Sequence, residues 1–242
     1  MNTAAMQLPF AEQYYRNLLF ELLTPESEWL DLGCGHQLLP GWLKDSSQDQ
    51  QALSARCRRL IGADLAVDDL VRHPYLGGRV ICNLHRLPFR DNSFSLVTAR
   101  SVVEHIEAPE PFLAEASRIL KPGGQILLAT PNLLYYQCLV ASVTPDPIKK
   151  ILVRKLEGRA EQDVFPTFYR LNTPSTLKRL AGNCGFTVSF VKTVESLPEL
   201  IRLGHPFVQV ERVITRILRH TQLYSFRAVI IALLQKPAIA SG

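Results

Sequence analysis

Between residues 28 and 234 the chain keeps returning to short apolar runs, and this recurrence limits the available folds more than any other feature. The runs fall at residues 28–32, 59–64, 79–82, 94–99, 125–130, 186–191 and 227–234. Several are apolar on both faces, the pattern of strands covered from both sides rather than from one. A helical stretch at 8–23 precedes them, with Phe10, Tyr14, Leu18 and Leu22 at helical spacing, and others fill intervals at 111–120 and 176–183. Parallel strands need crossovers of this kind. The expected fold is therefore α/β: a doubly wound, mainly parallel seven-stranded sheet with helices on both faces.

Composition narrows the function classes only a little. A length of 242 residues suits one sizeable α/β domain, and 47% hydrophobic with 20% charged residues is too apolar for disorder. The net charge of +5 is spread along the chain, which reads as a solvated surface and not as a nucleic-acid stripe. Five cysteines, an odd number without a CxxC pair or zinc spacing, predict reduced thiols and a cytoplasmic protein. Residues 1–12 carry no basic segment before an apolar run, so no signal peptide is expected. Residues 122–145 lack charge, but Gly123, Gly124, Pro131 and Asn132 interrupt them, which argues against a membrane span.

Three regions are expected: a helical lid over 1–27, the main domain over 28–236, and a cap insertion over 133–167 within it. Residues 45–51 read as a loop. Within the cap, Ile148, Ile151, Leu152 and Leu156 alternate with Lys149, Lys150, Arg154 and Lys155. That pattern suits either peripheral membrane contact or a cap helix with a wet basic face.

In a doubly wound sheet, ligands bind beyond the carboxyl ends of the strands, where strand order reverses. The first run ends at Gly33-Cys34-Gly35, a bend whose missing Cβ atoms let backbone approach a ligand. Asp31 places a carboxylate beside that bend, suited to a cationic group. Asp64 ends the second run, where a carboxylate can accept bonds from both hydroxyls of a ribose. Asn83 follows the third and could hydrogen-bond an adenine edge, with Leu84 packing near the ring. Taken singly, each residue is as well explained by a turn or a surface position. Their order at successive strand ends points to a nucleoside pocket.

In these motifs the chain resembles the class I S-adenosylmethionine-dependent methyltransferases, particularly the bacterial group related to ubiquinone biosynthesis. The resemblance rests on Trp29 through Gly35, Ile61 through Asp64, Leu87 through Phe94, Ser101 through His105, Leu120 through Gly124, and Leu171 through Phe186. It implies S-adenosylmethionine as cofactor. Asp31, Gly33 and Gly35 would then line its methionine side, Asp64 would hold its ribose and Asn83 with Leu84 its adenine, with Cys34, Leu65 and Arg100 as further cofactor-binding residues. A small-molecule or lipid-like acceptor follows, with no nucleic acid.

His105, just past the fourth run, is the candidate general base for a hydroxyl acceptor; it could instead cap the next helix or orient Glu104. Some related quinone methyltransferases hold a metal with an acidic pair and a histidine here. Ser101 stands where the first acid would be, so no metal is expected. Tyr14, Tyr15, Tyr135, Tyr136 and Tyr169 are candidates for the acceptor pocket. The glycine loop departs from the family in having Gln37 in place of a third glycine, and an insertion near 37–51 accounts for the long interval to Asp64. That departure leaves room for a non-catalytic binding protein, and RNA is a further alternative acceptor.

Overall fold

The computed structural model describes residues 10–136, 166–196 and 224–238, together with Gln209, Val213 and Arg216. The described strands are β1 (Glu28–Leu32), β2 (Arg59–Asp64), β3 (Gly78–Ile81), β4 (Phe94–Arg100), β5 (Leu120–Pro131), β6 (Thr187–Val194) and β7 (Val229–Gln235). They form one seven-stranded sheet in the order β3-β2-β1-β4-β5-β7-β6. The pairs β1–β2, β1–β4, β2–β3 and β4–β5 are parallel, and β7 inserts antiparallel to both β5 and β6. The expected mainly parallel, doubly wound sheet is what the chain forms.

Helices cover both faces. On one lie α1 (Ala11–Leu22), α2 (Ser46–Ala55) and α3 (Val67–Arg72), packed against Trp29, Leu60, Leu96, Leu127 and Leu233. On the other lie α4 (Pro109–Ile119) and α5 (Pro174–Asn183), packed against Leu30, Val97, Ile126, Leu128 and Leu234. Successive β5 residues thus feed opposite cores, the two-residue period of a strand buried on both sides.

In α1 the buried residues Ala11, Tyr15, Leu18 and Leu19 make one stripe, and no β-branched residue interrupts the helix. It stops at Leu23, whose backbone is extended just before Thr24-Pro25. In α4, proline sits in the first turn, where its missing N–H costs nothing, and Phe112, Leu113, Ala116 and Ile119 are buried.

Residues 45–51 are not the loop that their composition suggests, because α2 occupies Ser46–Ala55. The reason lies in its buried face, which is Ser46, Asp49, Gln50 and Leu53. A mostly polar stripe gives no amphipathic signal, and it can be buried only because distant partners satisfy it. Asp49 takes a two-pronged ion pair from Arg16 of α1. The Gln50 side-chain oxygen accepts the backbone N–H groups of Leu38 and Leu39 at 2.8 and 3.3 Å.

The basic segment 148–156, most of the 133–167 insertion and residues 1–9 lie outside the described residues. Among the described residues, no helix is long and apolar enough to cross a membrane.

Candidate active site

Strand order reverses between β1 and β4, so the crevice beyond their carboxyl ends is where the fold admits a ligand. There the chain leaves β1 through two left-handed glycines, Gly33 (φ 62°) and Gly35 (φ 52°). The bend is tied to the end of β2: Gly33 N–H donates to the Ala63 carbonyl at 2.7 Å, and Gly35 N–H to Asp64 Oδ2 at 2.8 Å. The two glycines serve different ends. A Cβ on Gly33 would lie 2.2 Å from Val102 Cγ2, whereas one on Gly35 would meet nothing within 4 Å. Gly33 is required by packing, and Gly35 leaves an open cradle.

Between them, Cys34 turns away from the crevice and is buried, its sulfur 2.6 Å from where a Gly62 Cβ would stand. Burial, with Asp31 and Asp64 nearby, pushes its thiol pKa well up, so it packs as an apolar group.

Asp31 is 7% exposed and accepts the Thr98 hydroxyl of β4 at 2.5 Å, while Trp29 Nε1 donates to the same hydroxyl oxygen at 2.7 Å. Above them, α1 lays the buried Tyr15 close to Thr98 and Asp31. Burial raises the Asp31 pKa to about 7, Asp64 adds to the rise, and the Thr98 hydrogen bond and the Arg100 charge oppose it. A carboxylate so poorly solvated favours a cationic ligand group. Sequence reasoning named Asp31 but missed Thr98 and placed Tyr15 only among the aromatics, because these partners come from β4 and α1, far from Asp31 in the chain.

The loop after Gly35 lacks a third glycine. Its Leu38 and Leu39 N–H groups are taken by Gln50, which in turn donates to Ser46 Oγ at 3.0 Å. The insertion therefore folds as a brace for this loop.

At the end of β2, Asp64 Oδ1 also accepts Ala66 N–H at 2.9 Å. Each carboxylate oxygen accepts two bonds, so both retain capacity for hydroxyl donors. Leu65 is 56% exposed, and it follows β2 as Asn83 follows β3, the two strands pairing Asp64 with Ile81. Asn83 is exposed, its Oδ1 accepting His85 N–H at 2.9 Å, and Leu84 is half-buried against the core. These residues rim the crevice on the side away from Asp31.

Past β4, Ser101 is left-handed (φ 56°) and a single 3₁₀ turn spans Val103–His105. Glu104 is buried; its Oε2 accepts the Thr130 hydroxyl at 3.0 Å, which accepts from Asn172 Nδ2 at 2.7 Å. Burial holds its pKa above the usual carboxylate range. The Glu104 carbonyl accepts Phe168 and Tyr169 N–H at 2.8 and 3.2 Å, and His105 Nδ1 meets the Pro166 carbonyl at 2.8 Å. Since a carbonyl only accepts, Nδ1 carries the proton in that contact, leaving Nε2 as the basic nitrogen of the ring. Segment 166–172 is thereby pinned beside the β4 end.

The remaining tyrosines scatter. Tyr14 packs on Phe190 and Lys192, Tyr135 meets Tyr136 in a tilted contact with ring centres 4.6 Å apart, and Tyr169 is left-handed (φ 52°). A separate hollow of about 500 Å³ lies at the opposite, amino end of the strands, where Glu28 pairs with both Lys121 and Arg59. It is remote from the strand ends that carry this chemistry. Among the described residues, no group of three His, Cys, Asp or Glu side chains could hold a metal ion. The open cradle at Gly35, with one carboxylate on either side of it, fits an adenosine bearing an amino-acid arm.

Comparison with known proteins agrees. Residues 30–128 match the family model described as a methyltransferase domain. The ubiquinone biosynthesis O-methyltransferase of Psychrobacter arcticus is 24% identical over 163 residues, which cover 65% of this chain and 58% of that protein. The ubiquinone/menaquinone biosynthesis C-methyltransferase of Desulfotalea psychrophila is 33% identical over 72 residues, 30% of this chain and 24% of that one. The chain thus spans less than two thirds of the length of these relatives. A solved S-adenosylmethionine-dependent methyltransferase from Mesorhizobium loti shares the fold, with a TM-score of 0.56 at 19% identity over 93% of this chain and 98% of that one.

Proposed function

Residues 30–128 are a methyltransferase domain of the class I S-adenosylmethionine-dependent kind, and from that premise we propose that the protein methylates a small or lipid-like acceptor. The observation that carries this reading is the stitch between the glycine bend and Asp64, with the buried Asp31 carboxylate alongside. It joins two neighbouring strand ends into an open cradle flanked by carboxylates, whose polarity suits an adenosine with an amino-acid arm.

When bound, S-adenosylmethionine supplies an electrophilic methyl carbon on a sulfonium. The protein's part is to bind, orient and keep water out, and orientation alone can contribute about 7–11 kcal/mol to barrier lowering. Asp64 and the Gly35 backbone hold the ribose side, Leu65, Asn83 and Leu84 the adenine, and Asp31 offers a counter-charge to the cationic end. For a hydroxyl acceptor, His105 takes the proton, its ring oriented by the Pro166 carbonyl.

A lipid-like acceptor is supported by the two quinone-biosynthesis relatives, one transferring to oxygen and the other to carbon, so they leave the acceptor atom open. A cytoplasmic location is supported by the free thiols of Cys34, Cys57, Cys82 and Cys184.

The test is calorimetry with S-adenosylhomocysteine, followed by a methyl-donor assay on lipid and small-molecule extracts read by mass spectrometry. Wild type should bind, Asp64→Ala should bind at least tenfold more weakly, and one extract component should gain 14 mass units. Binding without any methylated product would favour a non-catalytic role, and no binding would end the proposal.

A further inference from the structure

The hollow at the amino ends of the strands holds about 500 Å³, enough for a small molecule. It is distinct from the crevice at the carboxyl ends, since Arg59 and Asp64 stand at opposite ends of β2, about 17 Å of strand apart. Part of its lining is apolar: Phe89 meets Phe94 edge-on with ring centres 5.0 Å apart, and the Arg59 guanidinium lies 5.9 Å from the Phe94 ring centre. The charged lining is Arg59, Arg90 and Lys121 against the single carboxylate of Glu28, an excess of two positive charges. Glu28 is already shared between Lys121 and Arg59, so it does not match Arg90. Among the described residues, the exposed Arg90 side chain has no hydrogen-bond or ion-pair partner; only its backbone carbonyl is engaged, accepting the Ser93 hydroxyl at 2.7 Å.

The wall that carries Arg90 is fixed before any ligand arrives. Arg118 of α4 donates to the Leu87 and Phe89 carbonyls at 2.9 and 2.7 Å and pairs with Glu115 and Asp91. Asn92 is left-handed (φ 54°), its N–H donates to the Arg118 carbonyl at 3.0 Å, and Lys236 Nζ donates to its side-chain oxygen at 2.9 Å. Walls fixed in advance reduce the ordering cost of binding. We propose that this hollow binds a small organic phosphate monoester, its phosphate held by Arg90 and Lys121 and its apolar body laid on Phe89. A phosphate monoester carries about −1.5 to −2 charge at neutral pH, which matches the excess, and its oxygens accept the forked donors of an arginine. The apolar body covers ring surface that would otherwise face water. No residue of the carboxyl-end crevice takes part, so the site is independent of the methyltransferase reading.

The test titrates phenyl phosphate, inorganic phosphate and phenol into the full chain, read by calorimetry and by amide chemical shifts in nuclear magnetic resonance. Phenyl phosphate should bind about tenfold more tightly than inorganic phosphate, and phenol should not bind at the same concentrations. Shifts should gather at residues 89–93 and at Lys121 and leave Gly33 and Gly35 unmoved. Arg90→Gln and Lys121→Gln should each weaken phenyl phosphate by about tenfold, and Arg90→Lys, which keeps the charge but loses the fork, should lose less. An unchanged circular dichroism spectrum shows that each variant is folded. The proposal is overturned if wild type does not bind phenyl phosphate, if inorganic phosphate binds as tightly, if Arg90→Gln keeps full affinity, or if the shifts centre on Gly35.

Discussion

Replacing Asp31 by asparagine keeps the shape of the side chain and removes its charge, so it isolates what burying that carboxylate costs. The group has an ordinary value of 3.8 and a folded value of about 7, raised chiefly by burial. An acid with a raised folded pKa holds its proton more tightly in the fold. Its unfavourable contribution is therefore absent well below pH 4, grows as pH rises, and is complete above about pH 7. At about 1.36 kcal/mol per unit, the ceiling is on the order of 4 kcal/mol at pH 8 and about 1.5 kcal/mol at pH 5. Ligand-free wild type should thus lose about 2–3 kcal/mol relative to Asp31→Asn between those two pH values. Urea denaturation of both proteins at each pH measures this, and comparison with the variant cancels every other titrating group. Saturating S-adenosylhomocysteine should shrink the pH slope in wild type, because an ammonium beside Asp31 restores its charge. A difference between the two proteins that stays flat from pH 5 to 8 would refute the reasoning.

Gly33→Ala should destabilise by about 2–4 kcal/mol in chemical denaturation, since its Cβ would strike Val102 at a left-handed position. Gly35→Ala meets no atom and should cost only about 1–2 kcal/mol of stability, while weakening S-adenosylhomocysteine strongly in calorimetry. His73 is buried, and desolvation chiefly, with Arg79 next, lowers its pKa from 6.5 to about 4. A base depressed in the fold loses stability as pH falls from about 6.5 to 4, so His73→Gln should flatten acid unfolding there by up to about 3 kcal/mol. Gln50→Leu strips the Leu38 and Leu39 N–H groups of their acceptor and should cost about 2–4 kcal/mol, with faster hydrogen exchange at those two amides.

The strands and the ends of the strands were legible in the linear chain because their signals are local. A run such as Leu30-Asp31-Leu32 before Gly33-Cys34-Gly35 states both where a strand stops and that the backbone must then bend left-handed. The same holds for Asp64 at the close of β2, whereas α4 begins at Pro109, two residues before the start expected at 111. By contrast, α2 was hidden because its buried face is polar, and burial of Asp49 and Gln50 is tolerable only with Arg16 and the 38–39 backbone in place. Arg16 is 33 residues from Asp49, and Leu38 is 12 from Gln50, so no local period announces those partners.

What residues 28–130 determined by themselves was a layered α/β sheet with glycines and carboxylates at successive strand ends, since hydrophobic period and glycine torsion act over a few residues. The charge state of Asp31 was decided only by folding, which buries it and sets Thr98, Tyr15 and Arg100 around it from β4 and α1. So was the place of β7, inserted antiparallel between β5 and β6, where its pairing with β5 joins segments about a hundred residues apart. Solvation and charge depend on what surrounds an atom in space, and that neighbourhood is assembled only when distant parts of the chain close on one another.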